Sequence, residues 1–274
     1  MNTELEIAFI GGGNMARALA SGMVKQKGTG KHLLVMDVNQ SALDHWASFG
    51  ATGILRADPQ LGQCAIWVLA VKPQQMQEVA QAIKPYLQPD TLVISVAAGL
   101  TTETLSRWLG HEKIIRTMPN TPALIAKGIT GVYAMPSVDA QEQAKANTIL
   151  TAVGHVVTVE QESLLDAITA LSGSGPAYVF LFIEALVAGG QKLGLSYEQA
   201  KSLALATLDG ATSLAAHSDQ EPDVLRQNVT SKGGTTAEAL NVFAQHDLMK
   251  IVDQAMQAAA QRAQSLSAEL GNQG

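Results

Sequence analysis

Cysteine is almost absent from this chain. One residue, Cys64, among 274 excludes an internal disulfide framework and fits a reducing compartment. It precedes the apolar run Ala65-Ile66-Trp67-Val68-Leu69 and is expected to pack as a small buried hydrophobe. An excess of basic residues is also missing. Lys and Arg number 18 against 24 Asp and Glu, the net charge is −6, and no basic stripe is present, which argues against nucleic acid as a partner. The six histidines (His32, His45, His111, His155, His217 and His246) are scattered without metal-ligand spacing, so no metal site is expected. No signal pattern precedes the first apolar run, and the expected setting is cytoplasmic. One segment has the length to be mistaken for a membrane span, Pro176 to Leu195. It carries Glu184, Gln191, Lys192 and three glycines, so it is expected to be a buried central helix and an oligomer contact, not a membrane crossing.

Core material, by contrast, is plentiful: 47% of residues are hydrophobic and 15% charged, enough for one large domain or two ordinary ones. The first half alternates short apolar strands with helical patterns. Strands are expected at 6–10, 33–36, 65–71, 92–96, 114–116 and 129–133. Helices are expected at 15–25, 42–49, 75–86 and 102–109. Strands that are apolar throughout and separated by helices predict an α/β domain with a parallel sheet covered on both faces. From about Glu162 strand runs disappear, and helices are expected at 164–171, 176–193, 197–216, 222–228, 235–245 and 248–270. The expected organisation is a dinucleotide-binding domain over residues 1–160 and a helical substrate-binding and dimerisation domain over 161–274.

The segment Phe9 to Ala16 reads strand, then G-x-G-x-x-A, then helix. In such a turn Gly11 allows the bend, Gly13 lets a pyrophosphate approach the backbone, and Ala16 lets the helix pack on the strand; Asn14 and Met15 open that helix. A second mark of a dinucleotide site is an acid at the end of the second strand, about 20 residues on, and Asp37 fills that place. A carboxylate there accepts hydrogen bonds from the adenosine ribose and repels a 2′-phosphate. No arginine follows in Val38-Asn39-Gln40-Ser41, so NAD(P)H is the expected cofactor, with NADH favoured. Two further loops follow strands: Ala70-Val71-Lys72-Pro73, whose lysine could neutralise cofactor phosphate, and the stretch around Ala97, whose small side chains leave room for a flat ring. The proline-stiffened loop 116–122 places Asn120 where it could orient a nicotinamide amide.

Near the other end stands Val229-Thr230-Ser231-Lys232-Gly233-Gly234-Thr235-Thr236, opening an amphipathic helix. Paired glycines bring the backbone close to a ligand, and the unpaired N–H groups of a helix start favour an anion. Added threonine hydroxyls make this a seat for a small carboxylate.

Taken together, FIGGGNMA (9–16), AVKP (70–73), SVAAG (95–99), MPNTP (118–122), LSGSGPAYVF (171–180) and VTSKGGTTAEAL (229–240) resemble pyrroline-5-carboxylate reductases over nearly the whole chain. The resemblance implies a Rossmann-like domain followed by an all-α dimerisation domain that interlocks with another subunit. It also implies the last step of proline biosynthesis, reduction of a cyclic imino acid, 1-pyrroline-5-carboxylate, to L-proline by hydride transfer from NAD(P)H. Substrate carboxylate would rest on Ser231, Gly233, Gly234 and Thr235, with the Thr236 hydroxyl, the catalytic candidate, near the ring nitrogen. Ser174 would line the cleft. Asp219 is a weaker candidate for reaching a neighbouring subunit's site. A homodimer is the minimum expected assembly, and a ring of dimers is implied by resemblance. The pair Asp37-Val38 departs from the polar Asn-Arg type of pair that many members carry, which supports NADH. Two other classes are weighed. A β-hydroxyacid dehydrogenase would need a lysine at the start of the central helix, and residues 175–186 have none. An NAD-sensing module would not need the Gly-Gly-Thr-Thr seat.

Overall fold

A computed structural model of the chain describes residues 5–271. Eight strands form one sheet: β1 (Ile7–Ile10), β2 (Leu33–Met36), β3 (Thr52–Ile54), β4 (Ile66–Leu69), β5 (Leu92–Ser95), β6 (Ile114–Met118), β7 (Gly128–Ala134) and β8 (Gly154–Thr158), in the order β3-β2-β1-β4-β5-β6-β7-β8. Helices α1 (Asn14–Lys27), α2 (Gln40–Ala47), α3 (Met76–Ile83), α4 (Thr102–Leu109) and α5 (Ala140–Thr151) connect them. Every residue of β1, β2, β4 and β5 is buried, because side chains alternate between two covered faces. Phe9, Val35, Val68 and Ile94 meet Ala16, Leu19 and Met23 of α1, Trp46 of α2 and Ile149 of α5 on one side. Ala8, Ile10, Leu34, Trp67 and Leu69 meet Met76, Ala80 and Ile83 of α3 and Leu105 and Leu109 of α4 on the other.

The alternating pattern predicts a parallel sheet, and the observed one departs from it at one pair. β7 runs antiparallel to β6, and β8 returns parallel to β7. The cause is the short connection over residues 119–127, which holds a 3-10 turn (Thr121–Ile125) and no crossover helix; a parallel return needs a dozen residues or more. Three elements have no counterpart among the expected ones. β3 is only three residues long, β8 is largely exposed, and α5 is mostly polar and buries just Glu142, Ala146, Ile149 and Leu150. A capping box between Asp139 and Glu142 starts α5, a cue carried by residue type and not by periodicity.

The chain divides into two compact units: residues up to Ser174 together with those from Ala258 onward, and Gly175–Gln257. This division falls later than 160/161 because α6 (Leu164–Ile168) packs on β6 and β7. A Cβ on Gly131 would lie 2.7 Å from Ile168 Cδ1, so helix and strand touch at a glycine. The second unit holds α7 (Gly175–Lys192), α8 (Tyr197–Ala216), α9 (Pro222–Asn228), α10 (Thr235–Gln245) and the first part of α11 (Leu248–Gly271). The end of α11 belongs to the sheet unit, where Leu270 joins the core and Arg107 Nη2 donates to the Gly271 carbonyl at 2.5 Å. Within Gly175–Gln257 the buried hydrophobics are Val187, Ala200 and Ala204 alone. The central helix α7, expected to be buried, leaves Phe180, Leu181 and Phe182 exposed in the single chain. Residues 164–192 are long and apolar enough to cross a membrane by length and composition.

Cys64 is 1% exposed, and burial pushes its thiol pKa up to about 12. The thiolate is the reactive form. The native protein is therefore expected to consume no thiol reagent at pH 8 and one equivalent after unfolding; a fast native reaction would contradict the packing of this corner.

Candidate active site

Strands β1, β2, β4, β5 and β6 run parallel, so their C-terminal ends share one edge. The chain leaves β1 toward β2 on one side and later returns to β4 on the other, and crevices open at such a switch point. The turn Gly11–Gly13 lies at this switch point. Gly11 has φ 98°, its N–H donates to the Met36 carbonyl at 2.8 Å, and a Cβ would lie 2.8 Å from the backbone of Ala70 and Val71. Gly12 is equally confined. Its N–H donates to Asp37 Oδ2 at 2.7 Å, and its carbonyl accepts from Trp46 Nε1 at 3.2 Å. The unspecified position of the G-x-G pattern therefore has no room for a side chain either: a Cβ would lie 2.9 Å from that indole nitrogen.

Gly13 differs from both. Its φ is −70°, it is exposed, and a Cβ there would meet nothing within 4 Å. Nothing in the protein itself requires glycine at this position. It is also the N-cap of α1, and no side chain caps that helix. Helices α2, α4, α5 and α8 are capped by Asn39, Thr101, Asp139 and Ser196, whereas α3, α6, α9 and α10 share with α1 the lack of a side-chain cap. The first N–H groups of α1 are left for an anion in the open space above Gly13, and a dinucleotide pyrophosphate fits both features. Asn14 holds Arg17 through its side-chain oxygen, and Met15 is half-buried.

Around this turn the expected cofactor residues divide into side chains that face the cleft and side chains that do not. Asp37 is half-buried and fixed twice, by Gly12 N–H and by Asn39 N–H at 2.8 Å. A carboxylate has about four acceptor sites, so two remain for ribose hydroxyls. Ala70 and Val71 are half-buried, Lys72 is exposed, and Pro73 starts a 3-10 turn. Ala97 is 5% exposed and its methyl group lies in the core, so it can offer a ligand only backbone; Ala98 is the exposed neighbour. Asn120 is buried and largely committed. Its Nδ2 donates to the Ser172 carbonyl at 3.1 Å and its Oδ1 accepts from Ile129 N–H at 3.0 Å.

That bond explains the next stretch. Residues 172–176 do not form a separate loop opening a helix; α6 continues into a π turn (Thr169–Gly173), with Ser174 N–H donating to the Thr169 carbonyl at 2.8 Å, before α7 starts at Gly175. Pro176 has no N–H to give the Ser172 carbonyl four residues back, and Asn120 supplies the missing donor. Ser174 is half-buried.

A buried ionic group beneath these loops carries no local signal in the sequence. Arg116, 6% exposed in the middle of β6, pairs with Glu162 at 2.9 Å and approaches Asp166 Oδ1 at 3.8 Å. Glu162 also accepts from the N–H and the hydroxyl of Thr102 at 2.8 and 2.7 Å, 60 residues away in sequence. Burial pushes the Asp166 carboxyl pKa up, the Arg116 charge pulls it down, and Glu162 adds to the rise. A cavity of about 440 Å³ opens at the opposite edge of the sheet, lined by Ile7, Ile66 and Leu92 at the strand starts, away from all of these groups.

In the second unit, the turn before α10 has the shape expected of an anion seat. Gly233 has φ 70°, Gly234 is the N-cap with no capping side chain, and its N–H donates to the Ser231 carbonyl at 3.0 Å. A Cβ on Gly234 would run into the Ser231 hydroxyl, so only glycine leaves that hydroxyl in place. Thr235 and Thr236 are the first two residues of α10, exposed and half-exposed. Asp219 is exposed in the turn before α9.

Comparison with known proteins gives a consistent result. Residues 162–266 match the family described as pyrroline-5-carboxylate reductase dimerisation, and residues 6–99 match that described as NADP oxidoreductase, coenzyme F420-dependent. A pyrroline-5-carboxylate reductase of Pseudomonas aeruginosa is 40% identical over 97% of this chain and 98% of its own. The solved pyrroline-5-carboxylate reductase of Coxiella burnetii superposes with a TM-score of 0.91 at 38% identity, covering 96% of this chain and 99% of that one. A Plasmodium falciparum pyrroline carboxylate reductase, solved with NADP bound, gives 0.86 at 31%, covering 97% and 99%.

Glu162→Ala would remove the hydrogen-bonded carboxylate of Arg116, leaving it only Asp166 at 3.8 Å, and would strand two donors of Thr102 beneath the loops. Breaking a buried pair in this way costs about 3–5 kcal/mol. A urea-unfolding loss below about 1 kcal/mol, the range of exposed pairs, would show that the group is solvated.

Proposed function

The chain belongs to the pyrroline-5-carboxylate reductase family, and we propose that it reduces 1-pyrroline-5-carboxylate to L-proline, the last step of proline biosynthesis, with a nicotinamide dinucleotide as reductant. The observation that carries this reading is the uncapped start of α1 beneath the open space at Gly13, in a chain matching named reductases from end to end. When bound, the reduced dinucleotide supplies a hydride; the rest is binding and positioning by the chain.

Gly13, Asn14 and Met15 hold the pyrophosphate on the bend that Gly11 makes, and Asp37 accepts from the adenosine ribose. Lys72 offsets phosphate charge, while Ala70, Val71, Pro73, the Ala97 backbone and the strut Asn120 shape the wall beside the nicotinamide. Ser231 and the N–H groups of Gly233 and Thr235 hold the substrate carboxylate, with Ser174 at the cleft; Gly234, expected as a third donor, gives its N–H to the Ser231 carbonyl and shapes the turn instead. The Thr236 hydroxyl lies at the ring nitrogen. The imine accepts hydride at its C=N carbon, C2 of the pyrroline ring and C5 of the product proline, most readily when its nitrogen is already protonated, and that proton arrives with the substrate iminium. No side chain is then required as general acid, and the work left to the protein is orientation and exclusion of water.

Asp37 favours NADH. Its two hydrogen bonds to Gly12 and Asn39 prevent it from swinging aside, so a 2′-phosphate would meet a fixed negative charge. The NADP found with the Plasmodium protein belongs to that protein. The exposed apolar face of α7, the sparse core of Gly175–Gln257 and the match to a dimerisation family support a homodimer at least, with a second copy covering Phe180 and Leu181; a ring of dimers is compatible with this. A cytoplasmic setting accords with the unpaired thiol of Cys64, and neither a nucleic acid nor a membrane is assigned as partner.

Two measurements check the assignments. Steady-state kinetics with both reductants should give the higher kcat/KM with NADH; a preference of tenfold or more for NADPH would overturn the role given to Asp37. Thr236→Ala should lower kcat/KM by about tenfold or more, equivalent to about 1.4 kcal/mol. A fully active variant would remove Thr236 from the mechanism.

A further inference from the structure

We propose that Trp46 is a positioning residue for the dinucleotide, its buried indole N–H fixing the direction in which the phosphate-binding turn presents a backbone donor. The inference rests on the dinucleotide site assigned above. Three consecutive glycines, Gly11, Gly12 and Gly13, make the most freely rotating kind of backbone, and a seat for phosphate needs a fixed one. The rigidity is supplied from outside the turn. Asp37 Oδ2 holds the Gly12 N–H at 2.7 Å, which pins the peptide between Gly11 and Gly12. Trp46 Nε1 holds the Gly12 carbonyl at 3.2 Å, which pins the next peptide. In a planar trans peptide the C=O and N–H point in opposite directions. Drawing the Gly12 carbonyl toward the indole therefore turns the Gly13 N–H away from it, at a residue where even a Cβ would meet nothing within 4 Å.

The indole itself cannot move. Trp46 is fully buried, its ring lies 4.9 Å from Phe9 at 51° and 6.2 Å from Phe49 at 79°, and α2 is anchored by the Asn39 cap. The glycine at position 12 is part of the same device, since a Cβ would lie 2.9 Å from Nε1 and separate turn from indole. Trp46 touches no ligand; it removes the ordering that a free triglycine turn would undergo on binding.

A matched control is built into the same sheet unit. Trp67 is also fully buried and donates through Nε1 to a backbone carbonyl, that of Leu61, at 3.1 Å, but in the core on the other face. Calorimetric titration with NADH and with ADP-ribose, which lacks the nicotinamide, separates the alternatives. Trp46→Phe should weaken both by about tenfold. Its kcat at saturating NADH and its KM for the imine should stay at wild-type values. Trp67→Phe should lower the melting temperature comparably and leave both dissociation constants unchanged. Should Trp46→Phe not fold, 3-benzothienylalanine at position 46 keeps the ring volume and removes only the N–H, with the same expected loss. Wild-type ADP-ribose affinity in the position-46 variant, or equal weakening in both tryptophan variants, would overturn the proposal. Failure of the unaltered protein to bind either nucleotide would overturn the dinucleotide site itself, and this inference with it.

Discussion

Strand β4 passes so close to the end of β1 that one methyl group at Gly11 would sit 2.8 Å from the backbone of Ala70 and Val71. The left-handed φ of 98° at Gly11 follows from that approach, and so does the direction in which the chain enters α1. Once the bend is set, Gly12 is pressed against Asp37 and Trp46, and Gly13 is carried to the open side. The three glycines thus answer to three demands: close passage of a strand, contact with two side chains, and space for something outside the protein. The start of α1, like those of α3, α6, α9 and α10, has no side-chain cap, and an anion over the open side of Gly13 would satisfy its first N–H groups.

The same economy holds at the other loops of this edge. Asn120 spends its amide on the carbonyl that Pro176 leaves without a donor, so the stiff loop after β6 and the π turn before α7 are one construction. Arg116 and Glu162 tie the start of α4 to the segment leading into α6. These are buried polar groups with defined partners, and they fix loop positions more than they add net stability.

Much of this was legible in the residues. The bounds of β2, α4, α8, α9 and α10 coincide with their apolar periodicity because each is flanked by a clear turn or cap residue: Asp37, Thr101, Ser196, Pro222 and Gly234. The direction of β7 was not legible, since strand sense depends on the length of a connection and not on the strand's own composition. Asp37 could be picked out by its distance from the glycine turn, whereas Trp46 could not. Its partner is 34 residues away, and a tryptophan on an apolar helix face gives no hint of which carbonyl its nitrogen reaches. Glu162 was hidden for the same reason. The exposure of Phe180, Leu181 and Phe182 on α7 was not legible either, because an apolar helix reads the same in sequence whether or not its own chain covers it.

The central claim is that hydride passes from a reduced dinucleotide seated at the start of α1 to the C=N carbon of a five-membered cyclic imine, the carbon that becomes C5 of proline. NADH carrying deuterium at the transferable C4 position, incubated with the purified protein and 1-pyrroline-5-carboxylate, tests it directly by mass spectrometry of the product. The expected result is L-proline with one deuterium, placed at C5. Proline without deuterium, or deuterated reductant recovered unchanged beside intact imine, would contradict it.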